Sequence, residues 1–401
     1  MGEAFITGLG IVSPIGIGRE AFAAGLRAGR AGARRLQGLD ASTFRIGRGA
    51  EIDDADFDGE GDVDGARCLA LALRACHEAV ADADLDGGLP EDATIAVGSG
   101  AGEMRATEQT LGLPQDALAL DHPDPLQAPN STTSKLAAHL GLSGRQLTFV
   151  NACAAGAQAI AVAADLVRHG RAQMALAGGV EVLNAMVMSG FEALRAVSPT
   201  TCRPFDPDRD GILLGELAAF VVLESGEHAR RRGVRPYARV LGSGASADAF
   251  HVVRPDEHGA GAVLALRRAL DDAGLAPIDI DYVNTHGTGT PQNDPAELAA
   301  LTSVFGERLR DMPISSTKSM LGHALGASGA AEVVICALAL REGFLPPTMG
   351  LRRPIAGYEG LDFVANAARE GIRLQHVVSN AFAFGGTNVV IALSAPDAPT
   401  A

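Results

Sequence analysis

The sequence has few aromatic residues, few cysteines and fewer basic than acidic side chains. Its 401 residues include no tryptophan, three tyrosines and five cysteines. There are 33 Lys and Arg residues and 48 Asp and Glu residues, which gives a formal net charge of −15. That charge argues against nucleic acid as a partner and disfavours adsorption to an anionic membrane. The cysteines show no close metal-ligand spacing, and so long a chain needs no disulfides to support its core. We therefore predict no metal site and a reducing cytoplasmic compartment.

Long hydrophobic runs are also missing. No apolar segment reaches membrane-spanning length without a charge or a glycine, so no transmembrane helix is predicted. The segment Met1-Gly2-Glu3-Ala4-Phe5-Ile6 has neither a basic region nor a cleavage site of a secretion signal. Hydrophobic residues still make up 47% of the chain, and its 49 glycines indicate that backbone segments pack closely against one another.

A weak internal duplication organises the chain. Four elements recur in the same order: a helical stretch, a short strand before a glycine-rich turn, a buried helix closed by a glycine, and an apolar strand. They lie at 69–85, 94–100, 156–170 and 218–223, and again at 263–275, 280–287, 329–343 and 388–393. Buried strands that alternate with helices indicate an α/β protein with mostly covered sheets. We predict two similar halves, residues 1–240 and 241–401, and a long irregular excursion at 112–130.

Cys153 is the best candidate nucleophile. It lies in Asn151-Ala152-Cys153-Ala154-Ala155-Gly156, between an apolar run and a run of small residues typical of a buried helix. A thiol at such a strand-to-helix corner faces the positive end of the helix dipole, which favours the thiolate that attacks acyl carbonyls. Cys68, Cys76 and Cys336 lie in helical stretches and are predicted to be inert packing residues.

Three further glycine-rich turns carry polar groups. One holds His286, Thr288 and Thr290 directly after a strand, and a second holds Lys318 and His323 before a run of small residues. The third, residues 380–388, contains Phe384 between two strands, and its backbone N–H groups could face an oxyanion. Glycine lets backbone and hydroxyl donors approach a ligand closely.

The remaining histidines lack such a setting and have no partner at metal spacing. We predict that they lie at the surface or at helix ends: His77, His122, His139, His169, His228, His251, His258 and His376.

The four turns, in this order and across essentially the whole chain, resemble the β-ketoacyl synthases (ketosynthases) of the thiolase superfamily. The similarity is closest to the elongating Cys-His-His type, and residues 203–206 and 208–211 resemble a fifth signature of that family. The resemblance implies a five-layered αβαβα thiolase fold, normally dimeric. It also implies an acyltransferase that joins a malonyl unit on an acyl carrier protein to an acyl chain by decarboxylative Claisen condensation.

The resemblance also implies a role for each candidate residue. Cys153 would accept the acyl chain from a carrier-protein thioester. His286 and His323 would hold the malonyl thioester carbonyl and stabilise the enolate that forms on loss of carbon dioxide. No metal or redox cofactor is implied, because phosphopantetheine arrives on the carrier protein.

The other candidates would support this chemistry. The backbone N–H groups of Cys153 and Phe384 resemble the family's oxyanion hole, and Phe384 also resembles its gate to the acyl pocket. Thr288 and Thr290 would bond the phosphopantetheine arm. Lys318, expected near His323, and Glu332 would organise the site.

Several positions depart from the family pattern. Asn151 replaces a small hydroxyl residue, the turn at 215–219 is poor in glycine, and Glu103 and Arg105 stand in a loop that shapes the acyl pocket in the family. The helix that often offers basic residues to the carrier protein is preceded by an acidic run at 53–64, so docking would use other groups such as Arg195 or a partner subunit. These departures favour a type II polyketide or polyene pathway over fatty acid synthesis.

Three alternatives are weighed against this interpretation. A non-catalytic subunit like a chain-length factor would have the same fold but lacks the nucleophile, so the intact Cys153, His286 and His323 argue against it. Whether the protein pairs with such a subunit or forms a homodimer stays open. A degradative thiolase does not use two histidines with the Lys318 turn. An initiating Cys-His-Asn synthase would need asparagine at His323.

Overall fold

The computed structural model describes residues 2–53, 66–85, 87–111 and 129–398. Within these ranges the strands are β1 (Ala4–Ser13), β2 (Gly16–Ile17), β3 (Arg34–Arg35), β4 (Arg48–Gly49), β5 (Thr94–Gly98), β6 (Gln146–Phe149), β7 (Met174–Glu181), β8 (Leu217–Ser225), β9 (Ala238–Ala247), β10 (Tyr282–Asn284), β11 (Ile314–Ser315), β12 (Phe344–Leu345), β13 (Arg369–Glu370), β14 (His376–Phe382) and β15 (Thr387–Ser394). The helices are α1 (Arg19–Arg27), α2 (Arg67–Asp82), α3 (Met104–Leu111), α4 (Pro129–His139), α5 (Ala155–Arg168), α6 (Ala185–Ala193), α7 (Gly226–Arg232), α8 (Ala260–Ala273), α9 (Asn293–Phe305), α10 (Lys318–Leu321) and α11 (Leu325–Glu342).

The main sheet consists of two halves with the same strand arrangement. The first half has the order β6-β5-β7-β8-β1, and the second has β11-β10-β14-β15-β9. In each half the first three strands of this order are parallel to one another. The fourth strand is antiparallel to both the third and the fifth. A short antiparallel pairing of β1 with β9, from Ala4↔Val240 to Ile6↔Ala238, joins the halves into one sheet. The predicted two-fold similarity of the chain is confirmed by this repetition.

Helices cover the two halves in five layers. Helix α2 packs outside β1 and β8, α8 packs outside β9 and β15, and α5 and α11 lie between the halves in contact with both. Every residue of α11 from Leu325 to Leu340 is buried, as expected for a helix that is apolar on all of its faces. The predicted αβαβα architecture is therefore confirmed.

Glycines let the two central helices approach each other. A Cβ added at Gly156 would lie 2.7 Å from the Gly326 carbonyl oxygen, and one added at Gly329 would lie 2.7 Å from the Ala157 Cβ. Real Cβ atoms avoid such distances, so the small residues seen in the sequence are a packing requirement. This contact fixes the relative position of the chain segments that precede α5 and α11.

The predicted repeated elements appear as α2 and α8, β5 and β10, α5 and α11, and β8 and β15. Helix α5 is followed by Gly170 at φ 67° and α11 by Gly343 at φ 68°, the left-handed conformation that glycine adopts readily. The division at residue 240, which falls inside β9, stays a prediction.

The excursion predicted at 112–130 is partly wrong, because Pro129 begins α4, a position that proline tolerates. The rest of that excursion and most of the acidic run at 53–64 lie outside the described residues. Across the ranges that the structure describes, no helix has both the length and the apolar character needed to cross a membrane.

Candidate active site

Cys153 lies where the chain turns from β6 into α5. Residues Ala152–Ala154 form a short 3-10 turn, and α5 begins at Ala155. Ala152 has φ 51°, a left-handed conformation that costs a non-glycine residue about 1–3 kcal/mol and that collects at functional sites. The Cys153 side chain is buried, with 5% of the residue exposed.

Burial dominates the ionisation of this thiol. It raises the pKa of Cys153 to about 12, although the Lys318 charge and the backbone N–H of Phe384 act in the opposite direction. The resting group is therefore a thiol rather than the thiolate that the helix dipole was expected to favour. Its proton must leave when an acyl chain is accepted.

His286 and His323 lie beside each other in the same cavity as Cys153. Their ring centroids are 5.4 Å apart and the rings are nearly perpendicular, at 80°. The His286 turn is held by α9, because Glu297 accepts the backbone N–H groups of His286 and Gly287, both at 2.8 Å. His323 is tied by its backbone to Leu213, whose carbonyl accepts its N–H at 2.6 Å.

Hydrogen bonds define the tautomer of both imidazoles. His323 Nδ1 accepts the Leu325 N–H (3.2 Å) and lies 3.0 Å from the Ser328 hydroxyl. His286 Nδ1 lies 3.3 Å from the Lys318 ammonium, which can only donate. With Nδ1 used as an acceptor, each neutral ring carries its proton on Nε2.

The histidines are held neutral by their surroundings. Burial, followed by the nearby Lys318 charge, sets the pKa of each imidazole well below its usual range. The site therefore offers two neutral Nε2–H donors at physiological pH.

Lys318 and Glu332 form a buried pair behind His286. The Lys318 ammonium donates to Glu332 Oε1 and, at 2.6 Å, to the His286 carbonyl oxygen, and both side chains are 2% exposed. Burial raises the pKa of Glu332 to about 7 against the opposing effect of Lys318. The sequence prediction placed Lys318 near His323, but its hydrogen bonds go to His286. The reason is that α10 begins at Lys318 and aims its ammonium at the turn after β10.

Phe384 lines the same cavity as the histidine pair. Its backbone N–H is directed at the Cys153 sulfur, and its ring stacks on Phe191 of α6 with centroids 5.6 Å apart. Gly385 and Gly386 follow at φ 82° and 75°, and the Gly385 N–H donates to the Val252 carbonyl at 2.7 Å. Phe384 as a whole residue remains 37% exposed.

One cavity of about 340 Å³ connects these groups. It is lined by six of the predicted residues: Cys153, His286, His323, Thr288, Thr290 and Phe384. The two threonine hydroxyls lie 2.9 Å apart. The structure thus brings together residues that are distant in the chain: Cys153 and Phe384 are 231 positions apart. Lys318 and Glu332 do not line the cavity and instead contact His286, which does.

Sequence reasoning missed the acids that hold the histidine turn. Asp294 accepts the Gly289 N–H at 3.1 Å and Glu297 accepts two further N–H groups, and both acids are almost fully buried. Their spacing of three positions directly after a glycine-rich turn places both on one face of α9, and this spacing was the available signal.

The loop at 248–255 was also missed. His251 is exposed, as predicted, and it also lines the cavity together with Asp248 and Arg254. This position beside the site was not predicted, because only tertiary contacts place the loop there: Asp248 accepts the Asn388 amide at 2.7 Å, and the Gly385 N–H reaches Val252.

Two residues that depart from the family pattern, Arg105 and Glu216, form ion pairs. Glu216 pairs with Arg67 at 2.8 Å and with Arg105 at 3.3 Å. It also accepts the Leu183 N–H at 3.2 Å. This network ties α2, α3 and the segment before α6 together, so Arg105 and Glu216 act as a structural group beside the pocket.

Family models and curated relatives both match most of the chain. The family models for the N-terminal and the C-terminal domain of beta-ketoacyl synthase match residues 3–229 and 237–352. The chain is 39% identical over 409 residues to 3-oxoacyl-[acyl-carrier-protein] synthase 2 of Coxiella burnetii, covering 97% of each chain. It is also 39% identical over 396 residues to nodulation protein E of Rhizobium meliloti strain 1021, covering 96% of this chain and 98% of the relative.

Solved structures agree with these relatives. The ishigamide ketosynthase/chain length factor superimposes with a TM-score of 0.89 at 36% identity, over 98% of this chain and 99% of that one. A type II PKS acyl-carrier protein in complex with its ketosynthase bound to the hexaketide gives 0.87 at 28% identity, over 99% and 100%.

Proposed function

Because the chain belongs to the β-ketoacyl synthase family, we propose that it extends carrier-bound acyl chains with malonyl units and that Cys153 holds the growing chain. The observation that carries this proposal is the single cavity shared by Cys153, His286 and His323. A subunit that only supports a catalytic partner would have no need of a nucleophile beside two neutral histidines.

The first step transfers the acyl group. The Cys153 sulfur attacks the thioester carbonyl, the bond from that carbonyl to the pantetheine sulfur breaks, and the Cys153 proton ends on the released pantetheine thiol. The backbone N–H groups of Cys153 and Phe384 hold the oxyanion of the tetrahedral intermediate. Because burial favours the protonated thiol, attack and proton loss are expected to be concerted.

The second step uses the histidine pair. When carbon dioxide leaves the malonyl thioester, the electron pair of the broken bond moves onto the thioester as an enolate. The Nε2–H groups of His286 and His323 donate to its oxygen, because the hydrogen bonds to Nδ1 leave the proton of each neutral ring on Nε2. The enolate carbon then attacks the acyl-Cys153 carbonyl, a carbon–carbon bond forms, and the Cys153 sulfur leaves as a thiolate that takes a proton from water to restore the resting thiol. The product is longer by two carbons.

Lys318 and Glu332 are positioning residues in this scheme. The Lys318 ammonium supplies the hydrogen bond to His286 Nδ1 that fixes the proton on Nε2, and Glu332 balances its charge in the interior. Thr288 and Thr290 bond the amides of the phosphopantetheine arm. The scheme needs no metal or redox cofactor, since the arm arrives on the substrate.

The partner is an acyl carrier protein, and the functional unit is a dimer in the cytoplasm. Strand β6 pairs with β5 on one side, and Val150 next to it is 53% exposed, which suits pairing with a second subunit. The similarity to a ketosynthase/chain length factor supports a heterodimer, and a homodimer is the alternative. That similarity also favours type II polyketide or polyene synthesis over fatty acid synthesis.

A direct test compares wild type, Cys153→Ala and the control Cys76→Ala, whose thiol is buried in α2 away from the cavity. Each protein is incubated with acyl and malonyl carrier proteins, and intact masses and products are measured. Wild type and Cys76→Ala should form an acyl-enzyme and an extended chain, and Cys153→Ala should form neither. If wild type forms neither while a partner protein's cysteine is acylated, the non-catalytic partner function is correct.

A further inference from the structure

Glu181 is a buried acid that the catalytic scheme leaves without a role. It ends β7 and is 1% exposed. Its Oε2 atom accepts the backbone N–H groups of Gly100 at 2.6 Å and Gly326 at 3.0 Å, and its Oε1 atom accepts that of Ala101 at 2.9 Å. Burial raises the pKa of Glu181 to about 7, and these donors act in the opposite direction. The three N–H groups therefore stabilise the carboxylate, and the carboxylate in turn holds the segments that carry them.

The donors belong to two segments that are far apart in the sequence. Gly100 lies in the turn after β5, and Gly326 lies in the first turn of α11, the helix that follows His323. Glycine lets these segments touch: a Cβ added at Gly326 would lie 2.5 Å from the Gly100 nitrogen, and one added at Gly179 would lie 3.0 Å from the Gly326 carbonyl oxygen. Glu181 therefore fastens the start of α11 to the strand ends of the first half of the sheet.

The orientation of the His323 ring depends on this first turn of α11. Its Nδ1 atom accepts the Leu325 N–H at 3.2 Å and lies 3.0 Å from the Ser328 hydroxyl, and both groups belong to α11. Leu325 has φ 40°, a left-handed conformation that a non-glycine residue keeps only where the surrounding structure imposes it. The Gly326 N–H that Glu181 accepts comes next in the chain. A shift of the helix start would therefore turn the His323 ring and change the direction of its Nε2–H.

We propose that Glu181 is a positioning residue for His323, because its carboxylate holds the start of α11 where the His323 Nε2–H faces the thioester oxygen. This inference rests on the proposed function and adds to it a residue that does not line the cavity. Without the carboxylate, buried N–H groups would lack an acceptor and the helix start would move to find other partners. A misplacement of about 1 Å far from the chemistry can cost about 100-fold in rate.

Hydrogen exchange tests the hold on α11 without any turnover. Glu181→Met keeps the length of the side chain and removes both acceptor oxygens, whereas Glu181→Gln keeps one of them. Exchange followed by mass spectrometry should be at least about tenfold faster in Glu181→Met at Gly326 and Gly100, as the loss of a hydrogen bond to a charged group gives. Asp281→Asn is the matched control, because Asp281 accepts two backbone N–H groups at the opposite ends of β10 and β14. It should keep the wild-type rates at both glycines.

The two half-reactions, measured at about pH 8 where the carboxylate is ionised, test the effect on His323. Condensation should fall about 100-fold in Glu181→Met and about tenfold in Glu181→Gln, whose remaining oxygen makes weaker, uncharged hydrogen bonds. Acyl-enzyme formation should not fall, because the Glu181 charge raises the pKa of the Cys153 thiol and its removal favours the thiolate. In a His323→Ala background, Glu181→Met should cost less than about twofold further, since the ring that it positions is gone.

Three results would each overturn the proposal: wild-type exchange at Gly326 in Glu181→Met, an equal loss of both half-reactions, or a full additional loss in the His323→Ala background. If a melting curve shows that Glu181→Met is unfolded, Glu181→Gln is held to the same three outcomes. Failure of the proposed function is recognised separately, because wild type would then form neither an acyl-enzyme nor an extended chain. The exchange comparison would still decide whether Glu181 holds α11.

Discussion

Replacing His323 with alanine should separate the two half-reactions. His323 is one of two neutral Nε2–H donors beside Cys153, and removing one fixed donor to a developing oxyanion typically costs about 10²–10³ in rate, or about 2.7–4 kcal/mol. In the proposed scheme self-acylation uses the Cys153 sulfur and backbone N–H groups, so the rate of acyl-enzyme formation should change far less. Condensation should fall about 100- to 1,000-fold on the same scale.

The assay follows both steps in one sample. Intact-protein mass gives the rate of acyl-enzyme formation, and chromatography of the carrier-bound products gives the rate of condensation. His258→Ala, an exposed histidine that does not line the cavity, serves as the control. Because the variant leaves the Leu325 N–H and the Ser328 hydroxyl without their partner, a melting curve should confirm that it is folded. Condensation at the wild-type rate, or an equal loss of both steps, would refute the reasoning.

Two further predictions concern the thiol and the central helices. Because burial raises the pKa of Cys153 to about 12, the rate of its alkylation by iodoacetamide should increase about tenfold per pH unit from about pH 7 to 10. A rate that stops increasing near pH 7 would show that the group is already a thiolate and would contradict this reasoning. Gly329→Ala would bring a Cβ within 2.7 Å of the Ala157 Cβ and should destabilise the protein by about 1–3 kcal/mol in urea unfolding. Gly190→Ala, where a Cβ meets nothing within 4 Å, should stabilise it by about 0.4–1 kcal/mol, and equal effects of the two changes would contradict the packing argument.

The central part of the fold could be predicted from the sequence because its signals are local. Glycine closes α5 and α11 in matching positions, and apolar runs mark β8 and β15, so the repeat is visible without coordinates. The candidate site could be predicted for a related reason. Each reactive residue lies directly after a strand or directly before a central helix, and in this architecture those positions converge.

The rest depends on contacts between segments that are distant in the chain. Nothing local shows that the Lys318 ammonium hydrogen-bonds to His286, 32 positions away, rather than to His323. Likewise, His251 and Arg254 reach the cavity only because Asp248 is anchored to Asn388, 140 positions later. The burial that keeps the Cys153 thiol protonated is also a tertiary effect, and it outweighs the local dipole on which the sequence argument relied.

The position of α5 and α11 between the two halves has a consequence for how activity is acquired during folding. Cys153 precedes one of these helices and His323 precedes the other, and the two helices bury their apolar surfaces against each other. A separated half would expose such a helix to water and would contain either the sulfur or the imidazoles, never both. The capacity to form carbon–carbon bonds should therefore emerge in a single late event, when the halves dock, and fragments mixed in solution should regain it only in proportion to their reassociation.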